Sequence, residues 1–349
     1  MKKKLALALA LVMTMSLALT ACGGGKEGSQ QSSNGGGSGS QQSTSGSNSG
    51  TQLTGGGKLT FTTGGDQGTY YGFGTVLAGQ ISERTDTTVT AIVGKGSKAN
   101  IELMDLGDAQ LGFVQSDVMA YAYNGERLFQ KKIEGFSTVA ALYMEQVQIV
   151  TLDPNIKTVG DLKGKNVSVG ESGSGVYFNA VDVLAAYDLD VEKDINPTYQ
   201  GFGDSADALQ DGKIDAAFVV AGAPTTAITS LAASRSVYLV ELDDEHIDKL
   251  IEASPYYSKN VITGAAKDAY KLSADATTVA VGAVIIARDD CTEGDIYNVC
   301  AGIFDSIDTL GHDKKNELDL DFAASITAVP YHPGAAKYFA DKNLTVPTK

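Results

Sequence analysis

From Lys58 onwards, runs of β-branched and aromatic residues alternate with runs in which apolar residues recur at helical spacing. Between the first two β-rich runs, for example, Phe73, Leu77 and Ile81 share one helical face. The β-rich runs predict short strands at residues 59–64, 88–93, 111–114, 166–170 and 215–220. A chain that alternates strand and helix in this way predicts βα units around largely parallel sheet.

Helix starts are marked by hydroxyl residues, which can accept hydrogen bonds from free backbone N–H groups. The predicted N-caps of three helices are Ser97, Ser116 and Ser174. A fourth helix is predicted to begin within residues 290–295 and to carry Cys300 on its apolar face. The helix from Cys291 to Cys300 would rise about 13 Å, which is beyond disulfide reach, so both cysteines are predicted to be free thiols.

Two β-rich runs, residues 139–152 and 277–287, are much longer than the others. We predict an α/β fold with two lobes, in which these two segments cross from one lobe to the other. The predicted boundaries are residues 58–147 plus 281–349 for lobe I and residues 148–280 for lobe II. The predicted hinges are Gln146–Val150 and Val279–Val284.

Five of the predicted strand-to-helix loops are rich in Gly, Ser, Thr, Asn or Gln, three in lobe I and two in lobe II. They are residues 64–71, 94–100, 115–117, 170–177 and 221–226. Ligands of such folds bind beyond the carboxyl ends of strands, where helix N-termini offer N–H groups and partial positive charge. Five loops facing one cleft would suit carboxylate or phosphate oxygens. Each loop alone is also explained as an ordinary turn, so both interpretations stay open.

Length and charge exclude several classes of protein. A chain of 349 residues has room for about two domains and a large core. Its formal charge is −15, and removal of residues 1–21 takes away three lysines and leaves −18. A protein this acidic is a poor partner for nucleic acid, whose affinity comes mainly from neutralised phosphates, so no nucleic-acid partner is expected.

The N-terminus is predicted to be an export signal. Three lysines precede an uncharged apolar run of about 14 residues, too short for a comfortable membrane span. Residues 1–21 followed by Cys22 resemble a bacterial lipobox, in which the cysteine is lipidated. Residues 22–57 are then a lipidated cysteine and a disordered Gly/Ser linker to a folded body outside the membrane. The alternative is an ordinary signal peptide with an incidental cysteine.

Five segments of the body resemble one family of receptors. They are TTGGDQGTYYGFGTVLAGQI, GKGSKANIELMDLGDAQLGFVQSD, DLKGKNVSVGESGSGVYFNA, DALQDGKIDAAFVVAGAPT and VAVGAVIIARDD. Their order and content are similar to the TAXI family of solute receptors, the substrate-binding subunits of a subgroup of TRAP transporters. The matches extend through residues 58–349. No single motif is decisive, and the ordered set carries the resemblance.

The resemblance implies a periplasmic-binding-protein type II fold that closes on a small solute. It also implies delivery to a TRAP permease driven by an ion gradient, with glutamate and related organic acids as solutes. Ligand-binding positions carry over to Gly65, Asp66, Thr69, Tyr70, Ser97, Asn100, Gln115, Asp117, Ser172, Ser174, Gly175, Gly222 and Pro224. The protein is expected to be a monomer without cofactor or metal.

Two departures from the family pattern bear on the ligand. The first loop reads GGDQGTYYG where relatives often have GGTGGTYYP, and Glu171 stands where a small residue is common. Acids that face the cleft would bind an ammonium group, which favours an amino acid over a dicarboxylate. The alternative is that Asp66 and Glu171 point to solvent. No arginine lies in the five loops, so a carboxylate would rest on hydroxyls and helix N-termini.

The sequence contains few residues arranged as a catalytic site would require. The three histidines are far apart, and the chain contains no HExxH, CxxC or GxSxG motif. We therefore expect a binding protein and no enzyme. Two other receptor classes stay open on the residues alone: a receptor of an ABC-type transporter and a sensory lipoprotein of the same fold.

Overall fold

The computed structural model describes residues 53–349. The predicted signal peptide, the lipidated Cys22 and most of the predicted linker lie outside these residues. Within them, no helix is both long enough and apolar enough to cross a bilayer.

Ten strands form one continuous sheet. They are β1 Lys58–Thr62, β2 Thr88–Ile92, β3 Leu111–Gln115, β4 Phe136–Thr151, β5 Asn166–Ser168, β6 Asn196–Thr198, β7 Ala216–Ala221, β8 Tyr238–Val240, β9 Ser258–Ile262 and β10 Ala276–Arg288. Their order is β2-β1-β3-β10-β4-β7-β5-β6, with β8 added to β4 and β9 added to β10. The sheet therefore has a set of three parallel strands at each end, as the alternating pattern predicts.

Helices follow most of the strands. They are α1 Thr69–Arg84, α2 Ser97–Asp105, α3 Ser116–Asn124, α4 Gly175–Ala186, α5 Phe202–Gln210, α6 Thr226–Ser234, α7 Asp244–Ala253, α8 Gly264–Tyr270, α9 Glu293–Phe304, α10 Leu320–Ala323 and α11 Pro333–Asp341. Short 3-10 turns occupy Val159–Leu162, Ile307–Thr309 and Asp313–Glu317.

Strands β4 and β10 are the predicted crossover segments. They pair antiparallel from Phe136 opposite Arg288 to Gln146 opposite Ala280. Beyond that point β4 pairs with β7 and β8, while β10 pairs with β9. Each of the two long runs is thus a single strand that belongs to both ends of the sheet.

Alternate residues of each strand pack under helices on opposite faces of the sheet. Near β10, Phe113 and Ile285 belong to a cluster with α1, α9 and α11, whereas Val114 and Ile286 belong to one with α2 and α3. At the other end, two further clusters join β7 to α4 and α7 on one face and to α5, α6 and α8 on the other. This period of two is the pattern of strands covered on both faces. We refer to the two ends with their helices as lobe I and lobe II.

The three serines predicted to cap helices do not do so. Ser97 and Ser116 are the first helical residues, after Gly96 and Gln115, and their hydroxyls accept from the backbone N–H groups of Gln115 and Gly282 instead. Ser174 is at the N-cap position, but its side chain makes no capping hydrogen bond. The hydroxyls of Ser97 and Ser116 are held by neighbouring strands, so neither serine caps its own helix.

The fourth predicted helix is α9, which begins at Glu293 with Thr292 as a side-chain N-cap. Its Cys300 is fully buried in the lobe I core. Both Cys291 and Cys300 are free thiols, as predicted.

Asp295 on α9 ties the entering chain to lobe I. One carboxylate oxygen accepts from the N–H groups of Gly56 and Gly57 at 3.0 and 2.8 Å and from the Thr87 hydroxyl at 2.7 Å. Gly56 and Gly57, which belong to the segment predicted as a linker, are therefore held against lobe I. Burial alone would raise the pKa of Asp295, but these donors and Thr292 outweigh it and hold the pKa below its ordinary value.

We expect Asp295→Ala to lower the free energy of unfolding by about 2–4 kcal/mol, because several buried donors lose a charged acceptor. Since the pKa of Asp295 is depressed, its contribution is full above the ordinary value of 3.8 and is lost as the pH falls below it. Urea unfolding at pH 7 and pH 3 measures both effects. The matched control is Asp248→Asn on the exposed face of α7, and equal stability of the Asp295 variant and the wild type at pH 7 would contradict the prediction.

Candidate ligand-binding site

A cavity lies between the two lobes, where the carboxyl ends of β1, β3 and β7 approach the N-termini of helices. Its volume is about 60 Å³, which holds a few water-sized groups. The lining comes from both lobes: Gly64, Gly65, Gly68, Thr69, Tyr70, Lys95, Gly96, Ser97, Gln115 and Glu145 from lobe I, and Glu171, Ser174, Gly175, Val176, Gln200, Gly201, Phe202, Val220 and Ala221 from lobe II.

Four helix N-termini reach this cavity. They belong to α1 and α2 in lobe I and to α4 and α5 in lobe II. In the described chain, none of these four ends has a side-chain hydrogen bond to its free N–H groups. Each helix end carries about half a positive charge, so the four together form a site for negatively charged oxygen.

Glu145 is a buried carboxyl group at the wall of the cavity, on β4. The Tyr70 hydroxyl donates to one of its oxygens at 2.6 Å. Burial, helped by the charge of Asp117, raises the pKa of Glu145 to about 8, against the opposing effects of Tyr70 and Lys314. At neutral pH this group is therefore mainly a neutral carboxylic acid, which can donate a hydrogen bond to a ligand.

Two buried polar atoms of the lining have no hydrogen-bond partner in the described chain: Gln115 Oε1 and Ser174 Oγ. Buried polar atoms of this kind are expensive unless a ligand or water completes them. Gln115 Oε1 can only accept, and Ser174 Oγ can donate or accept. A ligand with both a donor group and an acceptor group would satisfy the pair.

The lobes touch directly at the rim of the cavity. The Thr69 hydroxyl donates to the Gly222 carbonyl at 2.8 Å, and the Ala99 N–H donates to the Gly173 carbonyl at 3.0 Å. Gly175 allows the closest approach, because a Cβ there would lie 2.0 Å from Gln115 Oε1. The structure therefore represents the closed arrangement of the lobes.

Seven of the predicted ligand-binding residues line the cavity. They are Gly65, Thr69, Tyr70, Ser97 and Gln115 from lobe I and Ser174 and Gly175 from lobe II. The loops that carry them were identified from residue type alone, and the fold brings these loops together.

The other six lie elsewhere. Asp66, Ser172 and Pro224 are exposed, and Gly222 lies beside the cavity, where its carbonyl accepts from Thr69. Asn100 is fully engaged by lobe I, since its amide donates to the carbonyls of Thr63 and Phe113 and accepts from the Thr62 hydroxyl. Asp117 is buried at a second contact between the lobes. Asn100 and Asp117 belong to the first turns of α2 and α3, which direct their side chains to backbone carbonyls and to α4 instead of the cavity.

Several lining residues were not among the predicted set. Glu145 is an acid within the long apolar run of β4, and that mismatch was an available signal. Gln200 and Phe202 come from the segment TYQGFG, which has the same polar, glycine-rich composition as the five loops but was not among them. Glu171 lines the cavity, whereas Asp66 faces solvent, so the two acids that depart from the family pattern differ in position.

Comparison with known proteins agrees with this architecture. The sequence model of the NMT1-like family matches residues 61–342. MatC from Rhodopseudomonas palustris with bound malate is 11% identical, with 74% of this chain and 86% of that chain covered and a TM-score of 0.51. A structure described as a periplasmic transporter is 14% identical, with 82% of this chain and 92% of that chain covered and a TM-score of 0.50. The alkanesulfonate-binding protein SsuA from Xanthomonas axonopodis pv. citri bound to MOPS is 16% identical, with 81% of this chain and 83% of that chain covered and a TM-score of 0.49. The two structures with TM-scores of 0.51 and 0.50 confirm the predicted two-lobed periplasmic-binding-protein fold.

The raised pKa of Glu145 predicts a distinctive pH dependence of stability. Between its ordinary value of 4.5 and about 8, the folded protein holds a proton that the unfolded chain has lost. This group therefore lowers wild-type stability as the pH rises through that window. Glu145→Gln keeps the shape without the titration, so its stability relative to wild type should increase by up to about 1.4 kcal/mol per pH unit. Thermal unfolding from pH 5 to pH 8 measures it. The exposed Glu245→Gln is the control, and a constant difference between Glu145→Gln and wild type would show that Glu145 is ionised.

Proposed function

We propose that this chain, which belongs to the NMT1-like family, is a solute receptor. The family model matches residues 61–342. The protein captures a small organic acid or amino acid between its lobes outside the cytoplasmic membrane. One observation carries this proposal: four helix N-termini without side-chain caps converge on one cavity shared by both lobes. This arrangement binds a carboxylate without an arginine.

The ligand is glutamate or a close relative. A carboxylate is received by the helix N-termini, with Glu145 as a neutral donor. An ammonium group would then satisfy Gln115 Oε1 and be attracted by Glu171, which lies in the lining. Asp66 is exposed and has no part in this proposal. The seven lining residues of the predicted set are proposed to bind the ligand.

The receptor delivers its ligand to a TRAP-type permease that uses an ion gradient. The support is the ordered resemblance of the five sequence segments to TAXI receptors. In this proposal the protein is a monomeric lipoprotein held to the bacterial membrane through Cys22, with residues 1–21 removed. An ABC-type transporter or a sensory partner is the alternative user of the same fold.

Glutamate should stabilise the protein against heat, while succinate and 2-oxoglutarate, which lack the ammonium group, should have little effect. At a concentration one hundred times its dissociation constant, a ligand adds about 2.7 kcal/mol of stability. Dye-monitored or calorimetric melting is suitable, because the chain has no tryptophan.

Equal shifts with all three acids would exclude a role for the ammonium group. If no acid or amino acid shifts the melting temperature, denaturing mass spectrometry must decide whether a solute is already bound. The absence of both effects would contradict the receptor proposal.

Gly175→Ala should weaken glutamate binding at least about tenfold, which corresponds to about 1.4 kcal/mol. The added Cβ would lie 2.0 Å from Gln115 Oε1 and 2.9 Å from Ser97 Oγ, so the lobes would stay apart. Isothermal titration calorimetry measures the affinity. The matched control is Gly79→Ala on the exposed side of α1, where a Cβ meets open space. Unchanged affinity in Gly175→Ala would show that lobe contact at this point is not needed for binding.

A further inference from the structure

A second set of lobe–lobe contacts lies outside the cavity, along one stripe of α4. Gly175, Asn179 and Asp182 recur at intervals of four and three residues, so they share one helical face. Gly175 contacts Gln115 of lobe I at the cavity. One turn further along α4, Asn179 Nδ2 donates to Asp117 of lobe I at 3.2 Å. Three residues later, Asp182 accepts from Arg127 of lobe I at 2.7 Å.

The last two of these contacts are joined within lobe II by Tyr257. Asn179 Nδ2 also donates to the Tyr257 hydroxyl at 2.8 Å, and that hydroxyl donates to Asp182 at 3.0 Å. The series Asp117–Asn179–Tyr257–Asp182–Arg127 thus begins and ends in lobe I and passes through lobe II. It cannot form when the lobes are apart.

Arg127 is held in position by more than its ion pair. Its guanidinium lies 5.0 Å from the Tyr121 ring of lobe I and 5.6 Å from the Phe178 ring of lobe II. A cation between two aromatic rings, one from each lobe, adds attraction between the lobes. Arg127 itself has a left-handed backbone conformation, with φ of 58°, in the loop that follows α3.

We propose that this five-residue series is a latch that holds the lobes closed, so that it sets the rate of ligand release without touching the ligand. The inference rests on the proposed function, since it assumes that closure retains a solute. None of the five residues lines the cavity. They are therefore positioning residues, and they act on the ligand only through the lobes.

The inner end of the latch also responds to protons. Asp117 and Asn179 are fully buried, and Asp117 Oδ1 and Asn179 Oδ1 both lack a donor in the described chain. A proton on Asp117 turns one of these acceptors into a donor. Burial, with the nearby charge of Asp182, raises the pKa of Asp117 to about 7. The titratable groups around it are Asp182, Arg127, Tyr121, Tyr256, Tyr257 and Glu145.

The direction of this pH effect follows from the two states of the lobes. When the lobes separate, Asp117 meets water and its pKa returns towards the ordinary value of 3.8. Between that value and about 7, the closed form holds a proton that the open form releases. Raising the pH across this window therefore favours opening by up to about tenfold per pH unit, and above it this group adds no further change. The window of Glu145, from 4.5 to about 8, overlaps this one, so only the comparison of wild type with Asp117→Asn isolates the effect of Asp117.

The first test measures release and association of radiolabelled glutamate with the full chain at pH 7. Arg127→Gln should release glutamate at least about tenfold faster, because Asp182 loses its partner across the lobes, while the association rate stays within about threefold. Asp248→Asn, an exposed change on α7, is the control and should match wild type. If Arg127→Gln slows association and leaves the release rate unchanged, the latch proposal is wrong.

The second test follows the release rate from pH 5 to pH 7 in wild type and in Asp117→Asn. The amide has nearly the shape of the neutral acid and does not titrate, so its fold should be retained if Arg127→Gln fails to fold. We expect the release rate to rise more steeply with pH in wild type, by up to tenfold per unit relative to Asp117→Asn. Identical pH profiles would overturn the proton dependence.

A third measurement separates failure of the latch from failure of the receptor proposal. If wild type does not retain glutamate, the proposed ligand is wrong. Hydrogen exchange of the ligand-free protein then tests the latch by itself. Peptides from α3 and α4 should exchange faster in Arg127→Gln than in wild type, while peptides from α9 stay equal. Equal exchange in α3 and α4 would overturn the latch.

Discussion

The antiparallel pairing of β4 with β10 is the constraint on which the rest of the structure depends. Both strands are longer than either lobe needs, so each lobe adds its parallel strands to the same central pair. Strand β3 is antiparallel to β10 and therefore runs with β4 towards lobe II, whereas β7 is antiparallel to β4 and runs towards lobe I. The carboxyl ends of the two parallel sets must then face each other, which places the βα loops of both lobes on one cleft.

This geometry leaves the site incomplete without a ligand. Helix ends that would normally be capped by side chains keep free N–H groups, because Ser97 is held by the N–H of Gln115 and Ser174 makes no cap. Gln115 and Ser174 contribute two further unpaired atoms. A carboxylate held by such groups touches both lobes at once, so the free energy of binding depends on closure more than on any single contact.

The sequence alone predicted the two-lobed fold, the crossover strands and the loops, because periodicity and turn composition are local properties. It did not predict which loop side chains face the cavity. Asn100 and Asp117 belong to loops that reach the cavity, but helix rotation directs Asn100 to backbone carbonyls and Asp117 to α4. Glu145 was overlooked for the opposite reason: it stands in an apolar run, and its environment is defined by contacts with Tyr70 and lobe II that are distant in sequence.

In the proposed function, a protonated Glu145 leaves the cavity open to an anion. Each helix end supplies only about half a positive charge, and an ionised carboxylate at the wall would cancel about two of them. Burial favours the neutral form, and the negative field of Asp117 adds to this effect. Lys314 opposes it, but its ammonium group is occupied by Glu317 and by the Ala223 carbonyl. The same exclusion of water that makes the helix ends effective therefore removes the charge that would compete with the ligand.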